Sequence, residues 1–397
     1  MDTLTLQSND LEDIIYGAAL LGSGGGGPVA MALKLVDAFQ KPQYPIRVLP
    51  LSSLADDALV AMVAGMGAPS QASRITQPFS NAPRTAVSML QKRLNAPLAG
   101  ILPIEVGPMN SVIPLLVSSQ LGLPVVDGDG GGRAYSTLSM ATFNLQTETT
   151  PYILCNDATP YGEDFVGTSL EVAHTDMADA ISRGIIEQPA FQGAGACASF
   201  AMSGGQAKKC TVPDGLQRAL ALGQLLRPYR QDKRDALGAV MGFLGQQGKH
   251  LFSGTLDSVS QNTVGALDLG MLQLRDGRDG FTVFNLNENL IAWRDQGASP
   301  SAIAPDSICF LAEDGQTFTN ASVAEYIGKR IHVIGIAASP LTRTPKILAA
   351  YQAGLLKLGY PGPCTPLDGS AIPSMPAAAP PQATLWRNYL VKVSGRG

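Results

Sequence analysis

Roughly the first 165 residues alternate between short apolar runs that end in glycine or proline and longer segments with helical periodicity. The apolar runs are "IRVLPL", "ALVAMVAGMG", "LAGILPIEVG" and "LPVVDGDG". Such runs are typical of buried strands, and a helix between two consecutive strands favours parallel pairing. The alternation therefore predicts an α/β domain in which helices cover both faces of a mainly parallel sheet, a three-layer sandwich.

Helical periodicity predicts helices over residues 10–21, 84–94, 111–120 and 135–143. A further helix is expected to start after Pro28, which suits a first helical position. Between the first helix and Pro28 lies a run of four glycines, Gly24, Gly25, Gly26 and Gly27.

The glycine run joins two helices and has no following Gly-Lys-Ser/Thr, which excludes both the Walker and the dinucleotide fingerprints. The start of the second helix still favours an anion through its free N–H groups. We therefore predict that these glycines let the backbone approach a ligand that also contacts the loop 127–133. The alternative is that the run serves only as a hinge.

After Gly167 the sequence changes to short strand-like segments separated by Gly-rich turns, with a single long amphipathic helix that starts after Asp214. Asp-Gly pairs in "RDGRDGF" and "EDGQ" predict hairpin turns. This half is expected to be a mainly-β, barrel-like domain with one or two helices. The predicted division is 1–167, 168–360 and a Pro/Ala-rich arm at 361–397.

Composition limits the classes of function. The net charge is −4 and only 15% of residues are charged, which argues against nucleic-acid binding. No apolar run reaches the roughly 20 residues of a membrane span, and the acidic N-terminus does not resemble a signal peptide. The five cysteines lack CxxC spacing, so neither a disulfide framework nor a zinc ribbon is predicted. We expect a cytoplasmic homo-oligomer.

Polar side chains gather at the carboxyl ends of two neighbouring predicted strands: Glu105, Asn110, Asp127, Asp129 and Arg133. Ligands of open α/β sheets bind at this edge, so we expect these five to share one cleft. The three acids are candidates for a general base, and Arg133 is a candidate for clamping a substrate carboxylate. The Asp-Gly-Asp pattern also suits a divalent cation, although nothing in the sequence requires a metal. The alternative is ordinary turn chemistry.

The other residues that could take part in catalysis or binding are scattered along the sequence. The three histidines have no metal-binding spacing, and Cys197 is more typical of a small buried residue than of a nucleophile. In "FNLNENLIAW", a single strand would place Asn285, Asn287 and Asn289 on one face and Glu288 on the other. Buried amides need polar partners, so Asn287 is a candidate for lining a site.

Several stretches together resemble one known family: "LLGSGGGGP", "GPMNSVIPLLVSSQLGLPVVDGDGGGRAYSTLSMATF", "FNLNENLIA", "PDSICFLAEDG" and "GKRIHVIGIAA". They are similar to the S-methyl-thiohydantoin desulfurases, catalogued as domain of unknown function 917. The resemblance implies a three-layer α/β domain followed by a barrel-like β domain. It also implies hydrolysis of an S-methylated thiohydantoin to a hydantoin and methanethiol, with Asp127, Asp129 or Glu105 as the base and Asn110 near the ring nitrogen.

Three functions stay open from sequence. The first is a hydrolase of a small cyclic amide or thio-imidate. The second is a ligand-binding accessory subunit of a hydantoinase- or oxoprolinase-type enzyme, because other members of the family are encoded beside such enzymes. The third is a nucleotide- or phosphate-binding protein, which depends on the glycine run alone.

Overall fold

Two β-sheets organise the computed structural model, which describes residues 3–37, 42–67, 80–157, 166–264, 267–295 and 297–372. Within these ranges the first sheet has nine strands and the second has seven. The strands of the first sheet are β1 (Leu4–Thr5), β2 (Arg47–Pro50), β3 (Leu59–Gly67), β4 (Gly100–Pro103), β5 (Val125–Asp129), β6 (Tyr152–Asn156), β7 (Val166–Leu170), β8 (Ala194–Ser203) and β9 (Val212–Pro213).

The centre of the first sheet is parallel, as the alternation predicts. Strands β2, β5, β4 and β3 lie side by side, with Val125 of β5 opposite both Val48 and Ile101. Strands β8, β6 and β7 extend the sheet by antiparallel pairing. The carboxyl ends of β3, β4 and β5 therefore lie at one edge, where the segments that follow them meet.

The helices described are α1 (Ser8–Leu21), α2 (Val29–Asp37), α3 (Ala82–Leu94), α4 (Pro108–Leu121), α5 (Thr175–Ile186), α6 (Gly204–Cys210), α7 (Gly215–Asp232), α8 (Leu237–Leu244) and α9 (Pro345–Lys357). The helices predicted over 10–21, 84–94 and 111–120 are confirmed as α1, α3 and α4, and each begins two or three residues earlier than expected. The glycine run does link one helix to the next.

The helix predicted over 135–143 is wrong. The segment forms only two short 3-10 turns, Leu138–Met140 and Thr142–Leu145. Its backbone donors are used elsewhere, because the Tyr135 N–H donates to a Glu105 carboxylate oxygen and the Thr142 N–H donates to the Gly130 carbonyl. These tertiary contacts outweigh the local helical preference.

The first sheet lies between two hydrophobic layers. One face packs through Ala61 and Val63 against α1, α2, α3, α4 and α7. The other face packs through Met62 and Leu102 against the 135–143 segment, α6, α9 and part of the second sheet. The three-layer α/β arrangement is confirmed.

Helices α1 and α7 pack so closely that glycine is required at their crossing. A Cβ on Gly17 would lie 1.9 Å from the Ala219 carbonyl oxygen, and one on Gly223 would lie 1.9 Å from the Asp13 carbonyl oxygen. This packing holds α7 against α1 in the layer on one face of the first sheet. Residue 167 lies inside β7, and β8 and β9 also belong to the first sheet although they follow it in the chain.

The second sheet is antiparallel and curls into a half-barrel around its own apolar cluster, as predicted. Its strands are β10 (Gly248–Val264), β11 (Leu267–Asp276), β12 (Asp279–Leu286), β13 (Glu288–Arg294), β14 (Ala302–Ile303), β15 (Ser307–Ala312) and β16 (Arg330–Ile336). Both predicted Asp-Gly turns are confirmed, with Gly277 at φ 59° and Gly315 at φ 79°.

The segment "FNLNENLIAW" is a hairpin and not the single strand expected. Strand β12 ends at Leu286, β13 begins at Glu288, and these two residues face each other across Asn287. Asn287 has a left-handed φ of 61°, a conformation that asparagine tolerates better than most residues. Asn285 and Asn289 are opposite each other in the hairpin, and Asn287 lies in the turn, so the three are not successive positions on one face of a single strand.

The described start of the Pro/Ala-rich segment packs on the second sheet. The Leu367 N–H donates to Asp306 at 2.7 Å, and Arg343 pairs with Asp368 at 2.9 Å. Residues 373–397, the rest of the predicted arm, lie outside the described residues. Among the residues described, every helix is too short or too polar to cross a membrane.

Candidate active site

A pocket of about 110 Å³ opens at the carboxyl ends of β3 and β4. The glycine run and the start of α4 form one wall, and the loop 135–138 and α5 form the other. The turn of the β12–β13 hairpin lies between these walls, so both sheets contribute to the pocket.

Glu105, which follows β4, is one of three carboxyl groups that line this pocket, with Glu288 and Asp179, and is 6% exposed. Asn110 Nδ2 donates to Glu105 Oε1 at 2.7 Å, and the Tyr135 N–H donates to Oε2 at 3.0 Å. Asn110 Oδ1 accepts from the Gly65 N–H at 2.9 Å, which fixes the amide so that its NH₂ group faces Glu105. Each oxygen of Glu105 thus has a fixed donor.

Glu288 is the second carboxyl group, carried by the hairpin turn and 4% exposed. The turn is held by two 2.7 Å hydrogen bonds, from the Asn287 N–H to the Asp268 carbonyl and from the Asp268 N–H to Asn287 Oδ1. Glu288 Oε2 and the neighbouring Ser136 Oγ have no hydrogen-bond partner among the described residues. Both residues line the pocket, although the two oxygens themselves are buried.

The carboxyl groups of Glu105 and Glu288 oppose each other's ionisation. Burial raises the pKa of Glu105, and the charge of Glu288 raises it further. Burial also raises the pKa of Glu288, partly offset by the Ser136 hydroxyl and the charge of Arg133. Two buried acids with raised pKa values can hold one proton between them near neutral pH, which provides a general acid and a general base in one pocket.

The glycine run forms part of the pocket wall, and its glycines are required there because a larger residue would collide with its neighbours. A Cβ on Gly25 would lie 2.2 Å from Glu288 Oε1, and a Cβ on Gly26 would lie 2.2 Å from the Gly107 Cα. The Gly26 carbonyl accepts from the Met109 N–H at 2.9 Å, which joins the run to the start of α4. Gly26 and Gly27 line the pocket, whereas Gly24 and Gly25 lie behind it against the hairpin and the Asn320 side chain.

Asp127 and Asp129 lie outside this pocket and serve the backbone. Asp127 accepts from the N–H groups of Leu216 and Gln217 at 2.8 and 3.2 Å. Although Asp127 lies in β5, its carboxylate therefore caps the start of α7. Asp129 Oδ1 accepts from the N–H groups of Gly131 and Gly132. The expected cleft is therefore only partly formed: it contains Glu105 and Asn110 but neither aspartate.

The Asp-Gly-Asp loop does not fit a divalent cation. Three of its four carboxylate oxygens already accept backbone N–H groups, whose positive ends oppose a metal ion. No cluster of three or more His, Cys, Asp or Glu side chains in the described ranges is arranged to hold a metal.

Arg133 is 1% exposed and ties the two sheets together. It donates to the carbonyls of Ala134, Asp306 and Asn289 at 2.7 to 2.8 Å and lies outside the pocket lining. The geometry therefore gives Arg133 a role in positioning the hairpin that carries Glu288, and not contact with a substrate carboxylate.

The wall opposite the glycine run contains residues that the sequence did not single out for a site. Asp179 and Arg183 of α5 form an ion pair at 3.0 Å that lines the pocket. Cys197 lies deeper, and burial raises the pKa of its thiol to about 12, so it stays protonated.

Glu288 is the main residue that the sequence reasoning missed. Its signal was present, since a run of polar residues interrupts an apolar strand in "FNLNENLIAW". Interpreting this run as one strand placed Glu288 on the apolar face. Asp179 and Arg183 had no distinguishing signal, because ion pairs four residues apart are ordinary on surface helices.

Models of the "S-Me-THD-like, N-terminal domain" and the "S-Me-THD-like, C-terminal domain" match residues 9–160 and 173–367. A crystal structure of a protein from Chromobacterium violaceum, a structural genomics target, is similar with a TM-score of 0.79 and 30% identity, covering 92% of this chain and 100% of that chain. No curated protein sequence matches significantly. Because the two models span most of the chain, the protein belongs to the S-Me-THD-like family.

Proposed function

We propose that the protein hydrolyses a small cyclic amide or thio-imidate of the hydantoin or S-methyl-thiohydantoin class. The observation that carries the proposal is the pair of buried carboxyl groups, Glu105 and Glu288, which meet in one small pocket from two different sheets. Membership in the S-Me-THD-like family supports the class of ring.

The hydrogen bonds of the two acids favour different protonation states. Both oxygens of Glu105 accept N–H groups, which stabilises its ionised form, whereas Glu288 Oε2 lacks a partner within the described part of the chain. We assign Glu105 as the general base and Glu288 as the proton donor from this hydrogen-bond pattern and not from the order of their pKa values. Burial and the charge of Glu288 raise the pKa of Glu105 to about 8, against about 7 for the pKa of Glu288. Asp127 and Asp129 are not favoured as bases because their oxygens cap backbone groups outside the pocket.

The proposed reaction on an S-methyl-thiohydantoin balances without a further reagent. Glu105 removes a proton from water as the water oxygen bonds to the ring carbon that carries sulfur. Glu288 donates its proton to the ring nitrogen, which receives the electron pair of the C=N bond. The intermediate then collapses to C=O as the C–S bond breaks. The departing thiolate takes the proton held by Glu105, and the proton of the intermediate's hydroxyl returns to Glu288.

Two further features support this assignment. Ser136 lines the pocket beside Glu288, and Asn110 holds Glu105 in place through its amide. All five cysteines are free and buried, which supports the reducing cytoplasm as the working compartment. A homo-oligomer and a hydantoinase-type partner stay predictions, which sedimentation and co-purification test.

The test is release of methanethiol from a panel of S-methyl-thiohydantoins, together with ring opening of hydantoins, with and without a chelator or added divalent metal. We expect turnover by the wild type and by Asp127→Asn, and turnover lowered by about 10²–10⁴-fold in Glu105→Gln. Binding of the panel without turnover would overturn the proposal and favour an accessory, ligand-binding subunit.

A further inference from the structure

Two of the three histidines lie side by side on the second sheet. His250 is carried by β10 and His332 by β16, two strands that pair antiparallel, and the centroids of the two rings are 6.3 Å apart. Spacing along the chain does not reveal this pair, because the two strands bring together residues that are far apart in sequence. Neither histidine lines the candidate active-site pocket.

A β-bulge places His250 and Ser253 on the same face of β10. His250 pairs with Ile334 and Ser253 pairs with His332, and the register shifts between His250 and Phe252. Without the extra residue, side chains three positions apart on a strand would point to opposite faces. Bulges are common next to functional sites, where they redirect a side chain. Here the bulge turns His250 towards His332.

Both imidazole rings are directed at the same oxygen atom. His250 Nε2 and His332 Nδ1 each lie 2.7 Å from Ser253 Oγ. A hydroxyl group has a single proton, so Ser253 can donate to only one of these nitrogens and must accept from the other. Two ring nitrogens from two strands therefore converge on one position.

A carboxylate lies behind His332. Asp235 Oδ1 is 3.2 Å from His332 Nε2, which is buried and has no hydrogen-bond partner among the described residues. The same carboxylate oxygen accepts from the Leu237 N–H at 2.8 Å, which fixes it at the start of α8. A carboxylate beside the outer ring nitrogen is typical of metal-binding histidines, because it favours the tautomer whose inner nitrogen has a free lone pair.

We propose that His250 and His332 bind a divalent transition-metal ion of the class of Zn²⁺, with water completing its coordination. Imidazole nitrogen is a ligand that such ions prefer. The ion would take the position of the Ser253 hydroxyl and connect β10 to β16.

The site requires only a small rearrangement. Zn–N bonds are about 2.0–2.1 Å long, so each ring nitrogen would move by about half an ångström from its contact with Ser253, whose side chain turns to another rotamer. His250 is free to make this movement because its side chain is exposed, whereas His332 is 4% exposed and held in place. This inference does not depend on the proposed function.

The experiment is calorimetry of the full-length protein with Zn²⁺ at pH 7.5, above the ordinary histidine pKa of about 6.5. Wild type should bind Zn²⁺, and His250→Gln should weaken this binding by more than about 100-fold, because loss of an outer-shell partner alone costs about 10–100-fold. Asp235→Asn should weaken it by about 10–100-fold while its amide oxygen still accepts from the Leu237 N–H.

His174→Gln is the matched control, because His174 is the remaining histidine of the sequence and is also exposed. It should bind Zn²⁺ as wild type does. Added Zn²⁺ should also raise the melting temperature of the wild type and of His174→Gln but not that of His250→Gln, since an ion that binds the folded state stabilises it. Mg²⁺, which prefers oxygen ligands, should not replace Zn²⁺ in this effect.

The inference is overturned if the wild type does not bind Zn²⁺ or if His250→Gln binds it with unchanged affinity. Loss of Zn²⁺ binding in Glu105→Gln but not in His250→Gln would place the ion in the active-site pocket and would also overturn it.

Discussion

Two pairs of buried acids, both at the carboxyl edge of the first sheet, have opposite surroundings. Asp127 and Asp129 of β5 are 0% and 1% exposed, and burial raises their pKa values to about 6 and about 7. Glu105 and Glu288 are equally buried and also have raised pKa values.

The difference lies in where the carboxylate oxygens are directed. Three oxygens of the aspartate pair accept backbone N–H groups of α7 and of their own loop. Each pair has one oxygen without a hydrogen-bond partner among the residues described, Asp129 Oδ2 and Glu288 Oε2, but the glutamates line the cavity and the aspartates lie outside it. A raised pKa therefore does not by itself identify a catalytic acid. Access to an open space distinguishes the two pairs.

The largest expected effect comes from neutralising the pocket pair. Glu105→Gln or Glu288→Gln should lower kcat by about 10²–10⁴-fold, because each removes one proton-transfer group. Melting temperature should stay near that of the wild type in Glu288→Gln, because Glu288 Oε2 accepts no hydrogen bond from the residues described. Glu105→Gln replaces an acceptor of an N–H group with NH₂ and should lower stability, so its kcat is measured per folded molecule. A variant that keeps full turnover would show that its residue is not part of the chemistry.

Gly25→Ala tests the pocket pair without changing an acid. The added Cβ would lie 2.2 Å from Glu288 Oε1, and Gly25 does not need a left-handed φ, so the collision is the main effect. A displacement of Glu288 by about 1 Å should reduce kcat on the order of 10²-fold. Gly184→Ala is the control, because a Cβ there meets nothing within 4 Å. Equal activity of the two variants would make the glycine run a hinge.

The aspartate pair should respond in stability instead. Asp127→Asn replaces one of two carboxylate acceptors at the start of α7 with an NH₂ group, so we expect the free energy of unfolding to fall by about 1–3 kcal/mol. Chemical denaturation measures this change. The kcat per folded molecule should be unchanged, and a loss of kcat comparable to that of Glu105→Gln would remove the distinction between the pairs.

The smallest effect concerns pH. Because the folded-state pKa values of Asp127 and Asp129 exceed the ordinary value of 3.8, the folded protein binds more protons than the unfolded chain above that pH. The free energy of unfolding should therefore fall as pH rises from about 4 to about 7. Asp129→Asn should flatten this slope, because the asparagine side chain does not titrate. An unchanged slope would mean that Asp129 does not titrate there.

Local patterns were enough to predict the fold class. The short apolar runs and the spacing of α1, α3 and α4 predicted the layered sheet, and the Asp-Gly turns predicted the hairpins of the second sheet. The 135–143 segment was predicted wrongly because its backbone groups bond to Glu105 and Gly130, contacts between distant parts of the chain that periodicity does not reveal.

The site was predicted only in part, for a related reason. Glu105 and Asn110 follow β4 closely. The rule that ligands bind at the carboxyl ends of parallel strands therefore placed them correctly in the pocket. Asp127 lies within β5, and its side chain accepts from the Leu216 N–H of α7, 89 residues further along the chain. Glu288 enters from the second sheet, and no pattern in sequence relates the two sheets.

The most direct test of the account is difference infrared spectroscopy of the carboxyl groups at neutral pH, with and without hydantoin. We expect a band from a protonated carboxyl group that shifts when hydantoin binds, persists in Asp129→Asn and is missing from Glu288→Gln. A hydantoin-sensitive band that is lost in Asp129→Asn and retained in Glu288→Gln would contradict the account, because the aspartate pair would then be the one that meets the ligand.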